Sequence, residues 1–209
     1  MTSATRIFGT MMTVMALACL MPAAVSQADE LIDQSNSFVG NYGPMLYGPA
    51  DNEFFVQTFV PTKPKLRGVR LNLGDVSSGG EFAVGIFNQV GHIPTGSTLG
   101  SIEVNTSTIN DNQLTDEEFI FGAPISVSPG TRYAIQISQV SGPRFRPYMS
   151  SSDTYADGTF ARKQAGAWEV TAGGSAQDMA FQTLWIPEPA TLGLMTLGGL
   201  MLLRRSRRA

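Results

Sequence analysis

The sequence predicts an all-β fold, a single antiparallel β-sandwich, flanked by an N-terminal signal peptide and a C-terminal transmembrane helix. Three observations predict it. The middle of the 209-residue chain is rich in Val, Ile, Phe, Thr and Ser, residues that suit a pleated, half-buried surface. Its best-marked segments alternate apolar and polar residues with a period of two, the signature of a strand with one buried face. The 22 Gly and 12 Pro largely fall between those segments, where they supply positive or fixed φ for turns.

The leader comes first. Arg6 precedes a mostly apolar, uncharged run from Ile7 to Met21, and Pro22 to Ala28 follows with small residues at Ser26 and Ala28. A short positive region, an apolar region and a small-x-small site describe a signal peptide over residues 1–28, cleaved after Ala28. The alternatives are an N-terminal membrane helix and a lipoprotein held through Cys19. Ala16-Leu17-Ala18 lacks the Leu usual three residues before a lipoprotein cysteine. Cys19 is the only cysteine, so the mature chain is expected to carry no disulfide, Cys metal site or Cys nucleophile.

Residues 29–186 form the expected sandwich, with about ten short strands separated by turn signals. Phe54 to Phe59 is one. In Leu66 to Leu73, Leu66, Gly68, Arg70 and Asn72 alternate with Arg67, Val69, Leu71 and Leu73. In Glu81 to Asn88, Phe82, Val84 and Ile86 oppose Ala83, Gly85 and Phe87; in Arg132 to Val140, Tyr133, Ile135 and Ile137 oppose Ala134, Gln136 and Ser138. Weaker strands are Leu99 to Asn105, Glu118 to Phe121, Ile125 to Val127, Thr159 to Lys163, Trp168 to Val170 and Met179 to Trp185. Ser78-Gly79-Gly80 and Pro129-Gly130 mark turns, and Gly158, Gly166 and Gly173-Gly174 punctuate the last third. No internal repeat and no long helix is read here. From Asp29 to Pro189 there are 9 basic against 17 acidic residues, a net of -8. Such a surface argues against nucleic acid, whose binding depends on Lys and Arg at the phosphates.

The tail, residues 187–209, begins Pro187-Glu188-Pro189, runs uncharged from Ala190 to Leu203, and closes on Arg204, Arg205, Arg207 and Arg208. The two prolines stop strand or helix from running through. As a helix the uncharged run spans about 21 Å, short of a hydrocarbon core of about 30 Å. Snorkelling Arg stems and local thinning of the bilayer make up the difference. Ala190, Leu192, Leu194, Leu197, Leu200 and Leu203 are the apolar anchor positions, and the basic stop stays cytoplasmic, which puts the domain on the far side.

Pro187-Glu188-Pro189-Ala190-Thr191-Leu192-Gly193-Leu194, the Gly-rich helix through Gly198-Gly199 and the terminal Arg cluster together resemble the PEP-CTERM sorting signal. The resemblance covers about a tenth of the chain. It implies a Gram-negative host that makes exopolysaccharide, and recognition by an exosortase, with cleavage near Pro187-Glu188-Pro189. A plain tail anchor is the alternative. Three further segments resemble the jelly-roll choice-of-anchor domains often joined to such tails. They are Gln57-Thr58-Phe59 leading into Leu66-Arg67-Gly68-Val69, the turn Val127-Ser128-Pro129-Gly130-Thr131-Arg132-Tyr133, and the closing Asp178-Met179-Ala180-Phe181-Gln182-Thr183. This resemblance implies a jelly-roll-like sandwich, related in form to carbohydrate-binding modules.

No catalytic constellation is read from the residues. His92 is the only histidine, in a Gly- and Pro-containing loop, and no nucleophile elbow is present for it to serve. It is expected to face solvent. Asp116-Glu117-Glu118 are adjacent carboxylates, whereas glycoside hydrolysis needs two set across a cleft. In Asp153-Thr154-Tyr155-Ala156-Asp157-Gly158 the third position is Tyr155 and the twelfth is Gln164, so the pattern fails as an EF-hand and is expected to be a turn. No metal site is assigned. By analogy with jelly-roll modules a structural calcium ion remains a candidate, with Asp51, Asn52 and Asp178 in view.

The aromatics offer more. Tyr42, Tyr47, Phe145, Tyr148, Tyr155 and Trp168 lie in or beside loop-like stretches, and sugar C–H faces stack on such rings. Tyr148 and Tyr155, with Arg144 and Arg146, are the candidate glycan contacts; the alternative is packing of loops onto the sandwich. Trp168 is expected in the core. The expectation is an exported, non-enzymatic cell-surface or matrix protein. It would be transiently anchored in the inner membrane and handled by the export machinery and an exosortase, with exopolysaccharide as the glycan partner. A secreted polysaccharide-acting enzyme is one alternative, and a permanently anchored protein is another.

Overall fold

The computed structural model describes residues 31–37, 40–42, 53–74, 79–108, 116–142, 146–150, 152–170 and 177–187. Ser26 and Ala28, Glu188 and Pro189, and the anchor and basic residues from Ala190 to Arg208 lie outside the described residues. So do Tyr47, Asp51, Asn52, Arg144 and Phe145. Among the described residues no helix is long and apolar enough to cross a membrane.

The described chain is all-β. Its strands are β1 (Leu31–Asn36), β2 (Gly40–Tyr42), β3 (Phe54–Phe59), β4 (Lys65–Gly74), β5 (Glu81–Val90), β6 (Ile93–Asn105), β7 (Asp116–Ser126), β8 (Tyr133–Ser141), β9 (Arg146–Ser150), β10 (Phe160–Gln164), β11 (Ala167–Val170) and β12 (Phe181–Trp185). They form two sheets with every pairing antiparallel. The first runs β1-β12-β4-β9-β2, with β7 also paired to β4; the second runs β11-β10-β3-β8-β5-β6.

Alternation decides which side of each strand is dry. Phe82, Val84 and Ile86 of β5 and Tyr133, Ile135 and Ile137 of β8 enter one core with Val69, Leu71 and Leu73 of β4, Phe119 of β7 and Phe181 of β12. Both sheets therefore contribute inner faces to a sandwich-like core, as the period-two pattern predicts. Aromatic pairs fill it: Phe82 meets Phe119 edge-on at 5.7 Å, and Tyr155 meets Phe181 edge-on at 5.1 Å. Such contacts add about 0.5–1.5 kcal/mol each beyond the buried area.

Strand β4 departs from the simple alternation. Leu66 shares the core with Val69, Leu71 and Leu73, although plain alternation sets it on the opposite face. The register of β4 against β7 shifts between Leu66 and Gly68, and Leu66 pairs Trp185 of β12 where Gly68 pairs Leu184. Arg67 is thus an extra residue, a β-bulge, and one extra residue reverses the phase of everything before it. On β7 the partners jump from Ile120 to Ile125, so the two expected strands Glu118–Phe121 and Ile125–Val127 are parts of one irregular strand. The Arg67 guanidinium donates to the Phe121 carbonyl at 3.2 Å, covering an oxygen that the jump takes off the ladder.

The β5–β6 connection is a two-residue hairpin turn. Val90 pairs Ile93, and Gly91 and His92 carry φ of 58° and 69°. Two successive left-handed residues make a type I′ turn, whose twist matches the strands it joins. Three strands are not expected from the sequence: β1, β2 and β9.

Candidate functional site on the outer face of the second sheet

Register builds this face row by row. One row runs Trp168, Lys163, Phe54, Ser138, Ala83, Glu103 across β11, β10, β3, β8, β5 and β6. The next runs Val170, Ala161, Val56, Gln136, Gly85, Ser101, and a third aligns Thr58, Ala134 and Phe87. Small residues dominate the middle of the rows, so the larger side chains at the flanks fold inward over them. Val56, Ala134 and Ala161 are buried beneath Phe87, Trp168 and Val170, which stay partly exposed. The Phe87 ring reaches back over Gly85, where a Cβ would come within 2.9 Å of it.

At the β10–β11 flank Phe54 and Trp168 stack with centroids 6.3 Å apart and planes 22° from parallel. The Lys163 ammonium lies 5.4 Å from the Phe54 centroid and 5.9 Å from that of Trp168. Aromatic faces with a cation beside them suit a sugar ring bearing a negative group: the C–H face stacks and the anion meets the lysine. Gln136 and Ser138 lie one strand further on, supplying an amide and a hydroxyl for sugar hydroxyls. The next register pair, Arg162 and Glu169, closes on itself as a 2.6 Å ion pair. At the far end of the third row His92 Nδ1 stands 3.3 Å from Thr58 Oγ1. The lone histidine therefore leans back onto the sheet instead of facing open solvent. Burial, then the Arg132 charge, lowers its pKa below the ordinary 6.5.

Tyr148, Tyr155 and Arg146, the described residues among those expected to contact glycan, are placed elsewhere. Tyr148 and Tyr155 are only 7% and 8% exposed. Tyr148 belongs to β9, and its ring lies against Gly74, whose added Cβ would come within 2.6 Å of it. The Tyr155 hydroxyl accepts from the Val60 amide at 3.2 Å and donates to Gln34 Oε1 at 3.0 Å. Burial first, then the charges of Asp157 and Asp33, raises its pKa against the opposing Val60 hydrogen bond and the Arg132 charge. Neither ring offers the open face a sugar needs. Arg146 is in β9, paired with Gly74 of β4. Trp168, expected in the core, packs partly buried against the small cluster of Val56, Ala134 and Ala161 on the outer face and does not enter the main core. The signal that could have found the site is the phase of β3: Phe55, Gln57 and Phe59 face inward, so Phe54, Val56 and Thr58 face outward. Phe54–Phe59 is too uniformly apolar for its sequence to set that phase.

The acidic candidates are also accounted for. Glu118 pairs Arg70 at 2.7 Å on the surface, and Asn72 donates to Asp116 at 3.3 Å along the same β4–β7 ladder. Asp153 to Gly158 contains the expected turn, closed by Gly158 N–H to the Tyr155 carbonyl at 3.0 Å. Asp178 is buried, and its carboxylate accepts from Gln57 Nε2 at 2.9 Å, Thr154 N–H at 3.0 Å and Tyr155 N–H at 2.9 Å. The described polar partners of this carboxylate are N–H donors, and Asp51 and Asn52, the other calcium candidates, lie outside the described residues. Among the described residues no group of three or more His, Cys, Asp or Glu is placed to hold a metal ion.

A comparison of the chain with protein-family models finds no match. A comparison with curated proteins finds no significant match.

Proposed function

We propose that the protein is an exported, non-enzymatic cell-surface or matrix protein, sorted by an exosortase at Pro187-Glu188-Pro189. Its sandwich is read as jelly-roll-like, in line with the resemblance to choice-of-anchor domains, and its second sheet is read as the glycan-facing one. One observation carries the sorting reading. The last described strand, β12, ends its pairing at Trp185, two residues before Pro187 of the Pro-Glu-Pro element. Cleavage there removes the tail without touching any described strand pairing, which is what a domain released from a membrane requires.

The test is the mass of the mature C-terminus in the native envelope, with and without the exosortase. A terminus near residues 187–189 that becomes Ala209 when the exosortase is deleted is the expected result. A terminus at Ala209 in both strains means a permanently anchored protein and removes the sorting reading.

The Phe54–Trp168–Lys163 cluster supports acidic exopolysaccharide as the ligand. Trp168→Ala should weaken retention in an exopolysaccharide-containing gel by about 1 kcal/mol, roughly fivefold in affinity. Unchanged retention would remove this face from the reading. Turnover of the polysaccharide by the purified protein would favour an enzyme instead.

A further inference from the structure

The first and last described strands are neighbours, and their register places Leu31, where β1 begins, opposite Trp185, where β12 ends. The same end of the sheet holds the start of β4, whose Leu66 pairs Trp185 and whose Lys65 pairs Ser126. Leu31 and Ile32 are 43% and 48% exposed, among the most open large apolar side chains described. Successive strand residues point to opposite sides, so these two straddle the sheet and make its end apolar, not one of its faces. The Lys63 ammonium sits 5.1 Å from the Trp185 ring. The segment carrying it is tied to β1, because Asp33 accepts from the Thr62 amide at 3.0 Å and from the Thr62 hydroxyl.

We propose that this end of the first sheet is a lipid-contacting foot that rests on the headgroup layer of a bilayer with anionic lipid. The proposal rests on the reading of the tail as a membrane anchor. The leash is short: from Trp185 to Ala190, five residue steps reach about 18 Å at full extension, and Pro187 and Pro189 restrict two of them. The headgroup layer is itself about 5–8 Å deep. Beyond the headgroups this leaves roughly 10–13 Å of reach, which keeps the surface beside the leash, with Leu31, Ile32, Trp185 and Lys63, next to the lipid. An aromatic ring with a lysine ammonium over it suits the interface, where the ring sits at headgroup level and the ammonium meets lipid phosphate.

The test uses the full chain in vesicles of phosphatidylethanolamine and phosphatidylglycerol. Trp168→Phe leaves Trp185 as the single reporter, and Trp185→Phe leaves Trp168 as the control on the second sheet. Trp185 emission should shift to the blue and be quenched by lipid brominated high on the acyl chain, with Trp168 unquenched. Leu31→Asp with Ile32→Asp should at least halve that quenching and leave the melting temperature in detergent unchanged, since both residues are exposed. Protein that floats with the vesicles but shows no Trp185 quenching overturns the foot and leaves the anchor standing. Protein that does not float overturns both. Equal quenching of the two tryptophans, or shielding of Trp185 from iodide without bromolipid quenching, also overturns the foot; the second result means a second copy covers this end.

Discussion

A carboxylate with 1% of its surface exposed needs compensation, and Asp178 receives it from one side-chain amide and two backbone amides. Gln57 is the hinge of the arrangement, since its Oε1 also accepts from the Met179 amide at 2.8 Å. Asn36 joins in by donating to the Met179 carbonyl at 2.9 Å. Asp178→Asn puts an NH2 group against at least one of these donors, because Gln57 cannot turn without losing Met179. We expect a loss of about 1–3 kcal/mol in urea unfolding. Burial, as the leading cause, holds the Asp178 pKa above the ordinary 3.8, against the three donors that lower it. The folded state therefore binds the proton more tightly than the unfolded chain. Its contribution is full below pH 3.8 and declines as pH rises through the raised value. The stability gap between wild type and Asp178→Asn should narrow over that window; a gap that widens with pH would contradict the assignment. None of this was legible in the sequence, where a lone Asp near a strand reads as a surface ligand. Tyr148 and Tyr155 misled for a related reason: Ser, Gly and Pro around a ring suggest a loop but do not say which way the ring points.

At the level of elements, strands with clean alternation were readable and the irregular ones were not. β5 and β8 follow their patterns because both are interior strands of the second sheet with one face in the core. β1 and β2 carry little apolar alternation, and β9 mixes Arg, Pro and Ser with Tyr and Met; their pairing comes from neighbours distant in sequence. The bulge at Arg67 was hidden because a phase change leaves no mark on composition. Removing Arg67 should flip Leu66 to the wrong side or force the ladder to slip, with a loss of about 2–5 kcal/mol, comparable to truncating a buried Leu. The segment between β9 and β10 has its own constraint. Gly158 approaches β3 so closely that an added Cβ would lie 2.0 Å from the Thr58 carbonyl oxygen. Gly158→Ala should destabilise by about 1–3 kcal/mol through overpacking, visible as a lower melting temperature.

Over the whole molecule, fold class was legible and sheet order was not. Period-two patterning and turn residues point to an antiparallel sandwich, but nothing local tells β12 to insert between β1 and β4. The outer-face cluster was invisible for the same reason, since Phe54 and Trp168 come together only through β10. Because described pairing stops at Trp185, a chain ending at Pro187 should melt within about 2 °C of the full chain in detergent, a shift below that of a 1 kcal/mol change.

The place of β12 also sets an order in time. A polypeptide that emerges amino-terminus first presents β1 and β4 long before the segment that belongs between them, and both must wait with a vacant slot at their edges. Such late, distant closure slows folding, and open strand edges are sticky while they wait. A chain stopped before Phe181 should accordingly remain protease-sensitive and prone to clump. The final few residues of the sheet thus act as the keystone that turns an unfinished chain into a finished one.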